Sequence, residues 1–64
     1  MDMRAIRRFL NLRLTDVERA TGIAAARISE AERGLTRLTR AEERAIVNFL
    51  KMKLAGTFNS EVPE

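Results

Sequence analysis

The groups in this chain able to do chemistry are arginines and carboxylates. Ten of the twelve basic residues are arginine, set against nine acids, and there is no cysteine and no histidine. Lack of histidine removes the commonest general base and metal ligand, and lack of cysteine removes disulfides and thiolate metal sites. The acidic pairs do not replace them. Glu42 and Glu43 are adjacent, and neighbours on a helix point about 100° apart, so they cannot share a site. They and the pair Glu30/Glu32 suit caps and surface. There is no glycine-rich phosphate loop and no HExxH-like spacing. Neither an enzyme nor a cofactor, metal or small-molecule ligand is expected. What remains is the arginine set, whose planar fork of donors suits phosphate oxygens and guanine edges. The formal charge is +3, and residues 57–64 hold two acids and no base, so the rest of the chain is more basic still. A charge of this size also suits an ordinary solvated helical surface.

These side chains must be positioned by a small body. Sixty-four residues make one domain, and a chain this short buries only about 60% of its unfolded surface. A small all-helical domain, stabilised by dimerisation, is the natural solution. No apolar run approaches the roughly 20 residues needed to span a bilayer. The N-terminus lacks the apolar core and cleavage site of a leader. A cytoplasmic, nucleoid-associated protein is expected, with no membrane partner.

Apolar spacing predicts four helices. The first covers 3–12, with Met3, Ile6, Phe9 and Leu10 on one face and Asp2 as N-cap. Phe9 reads as core or dimer seam. The second covers 14–21, with Leu14 and Val17 inward and Asp16 in its first turn. The third covers 24–33, with Ile28 and Ala31 inward. After a linker at 35–38, Thr39 and Glu42 form a capping box that starts a fourth helix, running to about Ala55 and stopping at Gly56. Ala45, Ile46, Phe49, Leu50 and Leu54 form its stripe. Val47 and Met52 lie off it, so the helix either serves the core alone or buries a second side in a dimer. Val47, Phe49, Leu50, Met52 and Leu54 are the interface candidates. The domain is expected over 1–56, and 57–64 as a flexible acidic tail, with Phe58 able to tack back on the body.

The most informative stretch is 17–34, VERATGIAAARISEAERG. Two short helical patterns flank Thr21-Gly22, where the chain must turn sharply and glycine alone takes a left-handed conformation without strain. Val17, Ala20, Ile23, Ile28 and Ala31 are expected to hold the crossing. Helices joined so tightly cross at a large angle, which is the helix-turn-helix arrangement.

With its flanks, Leu14-Thr15-Asp16-Val17-Glu18-Arg19-Ala20-Thr21-Gly22-Ile23 and Arg27-Ile28-Ser29-Glu30-Ala31-Glu32-Arg33-Gly34, this stretch resembles the Xre/Cro-type, lambda-repressor-like helix-turn-helix. The family pattern places an aliphatic residue five before the turn glycine, another after it, then Ile-Ser and a Glu-x-Gly close. Here those are Val17, Gly22, Ile23, Ile28-Ser29 and Glu32-Arg33-Gly34, and the resemblance spans roughly residues 3–55.

The resemblance implies roles. The third helix would enter the major groove by its N-terminal half. Ala25, Ala26, Ser29 and Glu30 would face base edges, flanked by Arg27, the strongest single candidate for a guanine or phosphate contact. Alanine methyls can meet thymine methyls, serine can bond either way, and Glu30 can accept from cytosine N4 or instead pair with an arginine. Thr15, Arg33, Arg37 and Arg40 would touch the sugar-phosphate backbone. Leu14 matches a position that often touches DNA but departs from the usual polar residue. Glu32 would form a structural ion pair with Arg7 on the first helix. Glu18 stands where the family most often has alanine packed under the third helix; it either tilts to solvent, pairs with an arginine, or marks a different crossing.

The resulting expectation is an all-α, compact four- or five-helix, lambda-repressor-like domain binding double-stranded DNA as a homodimer on a palindromic operator, a repressor of phage, prophage or small bacterial type. The alternatives are a protein-interaction module, such as an antitoxin-like regulator using the apolar fourth helix, and an excisionase-like architectural DNA-binding protein.

Overall fold

The structure is a computed structural model and describes residues 2–59. Four helices and no strand occur among the described residues: α1 (Met3–Phe9), α2 (Leu14–Thr21), α3 (Ala25–Glu32) and α4 (Arg40–Asn59). None of them is long and apolar enough to cross a membrane.

The ends of the short helices follow from local hydrogen bonding. Asp2 caps α1 by accepting from the Ala5 amide at 3.2 Å. The helix stops at Phe9, short of the expected residue 12, because Asn11 adopts φ 57°. The Leu12 amide then donates to the Arg7 carbonyl and the Asn11 amide to that of Arg8, both at 3.0 Å. This pair of bonds around a left-handed residue satisfies carbonyls that the helix leaves open. Gly34, at φ 79°, ends α3 in the same way, with Leu35 donating to Glu30 and Gly34 to Ala31. The expected span of 24–33 therefore shrinks by one residue at each end.

Helix α2 has the expected bounds. Its start is secured by Asp16, whose carboxylate accepts from the Arg13 amide at 2.8 Å. Its end is Gly22 at φ 79°, whose amide donates to the Glu18 carbonyl. The Thr21 hydroxyl donates to the Val17 carbonyl and accepts from the Ile23 amide, so the turn closes on itself before α3 begins.

Five residues form the core: Val17, Ile23, Ile28, Ile46 and Leu50, with Met3, Ile6, Leu10, Leu12, Leu14, Leu38 and Phe49 packed around them. The crossing of α2 and α3 thus rests on the predicted Val17, Ile23 and Ile28. Ala20 does not join them, because it faces solvent. Phe9 is 66% exposed and is not core.

Helix α4 corrects two expectations. It does not stop at Gly56 but continues to Asn59; Gly56 lacks the left-handed backbone of the other two glycines. The proposed boundary at 56/57 therefore falls inside a helix, and residues 60–64 of the expected tail lie outside the described residues, as do the contacts of the Phe58 side chain. Leu50, offered as an interface residue, is 1% exposed and belongs to the core cluster with Val17, Ile23, Ile28 and Ile46. It has no surface to give a second chain. Among the other candidates, Val47, Phe49 and Leu54 are half-buried, while Met52 is 71% exposed.

Candidate functional site

The apolar residues of α3 place its remaining faces. Ile28 points into the core. Ala26, Ser29, Glu30 and Arg33 then share an arc of about 100° turned away from it, while Arg27 lies about 100° round from Ala26. Ala26, Glu30 and Arg33 are exposed, and Ala25 and Ser29 are half-buried. The outward arc is low in profile at its start and polar toward its end. Thr15, at the start of α2, is exposed, and so are Arg37 and Arg40 in the segment leading into α4. The Arg33 guanidinium leans back toward its own helix, with Nε donating to the Ser29 carbonyl at 3.4 Å.

Arg7 and Glu32 meet as the resemblance implied. Arg7 Nε donates to Glu32 Oε2 at 2.8 Å and Nη2 to Oε1 at 2.9 Å. A third donor, Nη1, reaches the Leu12 carbonyl at 2.8 Å. The two side chains are 12% and 6% exposed, and they line a small void together with Val17, Ile28, Ile46 and Leu50. The hydrogen bond to Glu32, and then its charge, raise the Arg7 pKa against the opposing effect of burial, so the guanidinium stays charged.

Arg27 is placed differently from the expectation. Its fork does not stand open beside the base-reading arc. Nε donates to Glu42 Oε2 at 2.8 Å and Nη2 to Glu42 Oε1 at 2.7 Å. Nη2 also donates to the Arg37 carbonyl at 3.2 Å. A guanidinium and a carboxylate matched in this way form one of the stronger pairings available to side chains. As placed, the Nε–Nη2 edge of Arg27 is turned to Glu42 and not to the outward arc of α3. Meanwhile the capping box predicted for α4 forms, with the Thr39 amide donating to Glu42 Oε1 at 2.8 Å and the Glu42 amide donating to Thr39 Oγ1 at 3.1 Å. Glu42 therefore serves two elements. Its hydrogen bond with Arg27, then that with the Thr39 backbone, lowers its pKa from 4.5 to about 2.

Glu18, left open between three roles, has a fourth. Its Oε1 accepts from the Ala25 amide at 3.0 Å. The N-cap residue of α3 is Ala24, which makes no side-chain cap bond. An alanine there leaves the first amides of α3 without a local acceptor, and Glu18 supplies one from the preceding helix. The carboxylate and the amide it serves lie seven positions apart on either side of the turn, so neither segment shows the bond by itself.

Away from α3, a groove between α2 and α4 is lined by Leu12, Asp16, Arg19, Ala20, Phe49 and Lys53, with the Lys53 ammonium 5.8 Å from the centre of the Phe49 ring. Comparison with protein-family models, curated proteins and solved structures finds no match for this chain.

Proposed function

We propose that this chain is a double-stranded DNA-binding transcriptional regulator of the lambda-repressor-like helix-turn-helix type, acting as a homodimer on a palindromic site. The observation that carries the reading is the α2–Gly22–α3 unit. Its inner faces are closed by Val17, Ile23 and Ile28, while the outer arc of α3 is left open, with exposed arginines at 33, 37 and 40 immediately after it. An uncovered helix of low profile beside a run of cations fits a major groove bounded by phosphates. The Arg7–Glu32 pair supports the same reading, because it fixes the angle at which α3 is presented. Ala25, Ala26, Ser29 and Glu30 face base edges in this proposal. Thr15, Arg33, Arg37 and Arg40 hold the backbone. With few bidentate readers on α3, phosphate contacts supply much of the affinity.

The test is selection of bound sequences from a random duplex pool, followed by affinity measurement across salt. A palindromic motif and a steep loss of affinity with salt are the expected results. Absence of binding to any duplex at low salt removes the proposal.

A second reading, a protein-interaction module, is favoured by one observation. Helix α4 continues past Leu50, the last residue buried among those described, and carries Met52 at 71% exposure. Loss of DNA binding together with retained self-association in solution would favour it.

A further inference from the structure

Arg27 and Glu42 have a role beyond joining two helices. We propose that they form a latch that fixes the backbone of residues 37–39 and so positions Arg37 and Arg40 for phosphate, making Arg27 a positioning residue and not a reader of bases. The proposal rests on the DNA-binding reading above.

Four hydrogen bonds converge on one carboxylate and one guanidinium, and a fifth joins Glu42 to Thr39 through the Glu42 amide. Glu42 Oε1 accepts from both Arg27 Nη2 and the Thr39 amide, at 2.7 and 2.8 Å. Glu42 Oε2 accepts from Arg27 Nε at 2.8 Å, and Arg27 Nη2 also holds the Arg37 carbonyl at 3.2 Å. The Thr39 hydroxyl completes the set by accepting from the Glu42 amide. The segment between α3 and α4 therefore has its last three residues tied at Arg37 and Thr39, one to each partner of the ion pair.

Otherwise the segment is held by the Gly34 and Leu35 amides on α3 at one end and by the Glu43 amide on the Thr39 carbonyl at the other. Leu38 packs against the core, but Leu35 is 68% exposed and Arg37 and Thr39 are exposed. A long arginine side chain meets a phosphate productively only when its backbone is already in place; otherwise binding must also meet the entropy cost of ordering the segment. Fixing the Arg37 carbonyl and the start of α4 lowers that cost for the two arginines at either side of Thr39.

The latch and a direct contact by Arg27 predict opposite outcomes for Glu42→Gln. If Glu42 merely masks a DNA-reading cation, removing its charge tightens binding. If Glu42 holds the latch, the same change weakens binding although the protein becomes more positive. The experiment measures affinity of the full chain for random-sequence duplex DNA as a function of salt, for the parent, Glu42→Gln, Arg27→Lys and Arg37→Ala. Circular dichroism at the assay temperature verifies folding. The expected result is that Glu42→Gln and Arg27→Lys each lower the slope of log affinity against log salt by about one, as Arg37→Ala does. Lysine keeps the charge but lacks the fork, so a simple phosphate contact by residue 27 would survive that change. Sequence selection with Arg27→Ala should return the parent's motif at every position.

Tighter binding by Glu42→Gln, parent-like binding by Arg27→Lys, or a motif relaxed at one position in Arg27→Ala would overturn the latch. If Glu42→Gln does not fold, Arg27→Lys carries the comparison. If the parent binds no duplex at all, the DNA-binding reading fails, and the latch is then judged by hydrogen exchange at the Thr39 amide. That amide should exchange faster in Arg27→Lys; unchanged exchange rejects the latch itself.

Discussion

Arg7 on α1 and Glu32 at the end of α3 are separated by 25 residues in sequence and joined by two hydrogen bonds of 2.8 and 2.9 Å. Both side chains are nearly enclosed, yet neither carries an unsatisfied buried polar atom among the described residues. Among the described residues, the pair is the one side-chain ion pair between the first and third helices. It also anchors the loop after α1 through the Leu12 carbonyl.

The first prediction concerns this tie. Removing one partner of a largely enclosed pair leaves an uncompensated charge, which costs up to about 3 kcal/mol at this degree of burial. Arg7→Ala should therefore lower the urea midpoint by that equivalent, a large share of the stability of so small a domain. Replacing both residues by apolar ones of similar volume, Arg7→Met with Glu32→Leu, should recover most of the loss. An Arg7→Ala protein that melts like the parent would show that the pair contributes nothing.

A second prediction follows from Glu18. A side-chain cap contributes about 1 kcal/mol, and α3 has this one alone at its first amide because Ala24 offers none. Glu18→Ala should cost about that much, and the Ala25 amide should exchange with solvent markedly faster than in the parent. If exchange at Ala25 is unaltered, the carboxylate is not its acceptor in solution.

Helix α4 gives a third prediction by contrast between two residues. Leu50→Ala opens a cavity in the core that Leu50 shares with Val17 and Ile46, and large-to-small changes at such sites cost about 2–5 kcal/mol. Met52→Ala removes a side chain that is 71% exposed, and surface changes of this kind stay within about 0.5 kcal/mol. If α4 pairs two copies of the chain, Met52→Ala should weaken self-association in sedimentation or light scattering while leaving the monomer's thermal midpoint in place. A Leu50→Ala protein that is folded and as stable as the parent would contradict the packing described for it.

The sequence exposed the elements whose signals are local. Asp2, the Thr39–Glu42 capping box and the left-handed turn at Gly22 were each readable because cap and turn chemistry depends on a few consecutive residues. Val17, Ile28 and Ile46 were readable from helical spacing. The resemblance to a known pattern supplied Arg7–Glu32, which no local rule gives. Four features escaped. The stop of α1 depends on Asn11 taking a left-handed conformation, which asparagine does only in some contexts. Leu50 lies on the helical stripe and Met52 off it, yet both could serve an interface, and only the packing of the other helices against α4 assigns Leu50 to the core. Arg27 and Glu42 lie 15 residues apart with a turn between them, so their pairing is set by the crossing of α3 and α4 and by nothing in either segment. Glu18 belongs to the same class, since its partner is the backbone of the next helix.

A fourth prediction concerns pH and follows from Glu42. Its carboxyl is held at about 2 in the folded chain by Arg27 first and by the Thr39 backbone second, against an ordinary value of 4.5. A depressed carboxylate stabilises the fold where it is ionised in both states, which here means above about pH 4.5. That stabilisation is lost as pH falls through the interval down to about 2, where the folded chain also takes up the proton. Glutamine at 42 cannot ionise and so lacks this dependence. The thermal midpoint of Glu42→Gln should lie below the parent's near neutral pH, and the gap should close as pH is lowered from 4.5 toward 2. Because Arg27 remains charged throughout this range, the closing gap reports Glu42 alone. A gap that stays constant between neutral pH and 2 would mean that Glu42 titrates alike in the folded and unfolded chains, and that the pairing seen with Arg27 carries no weight in solution.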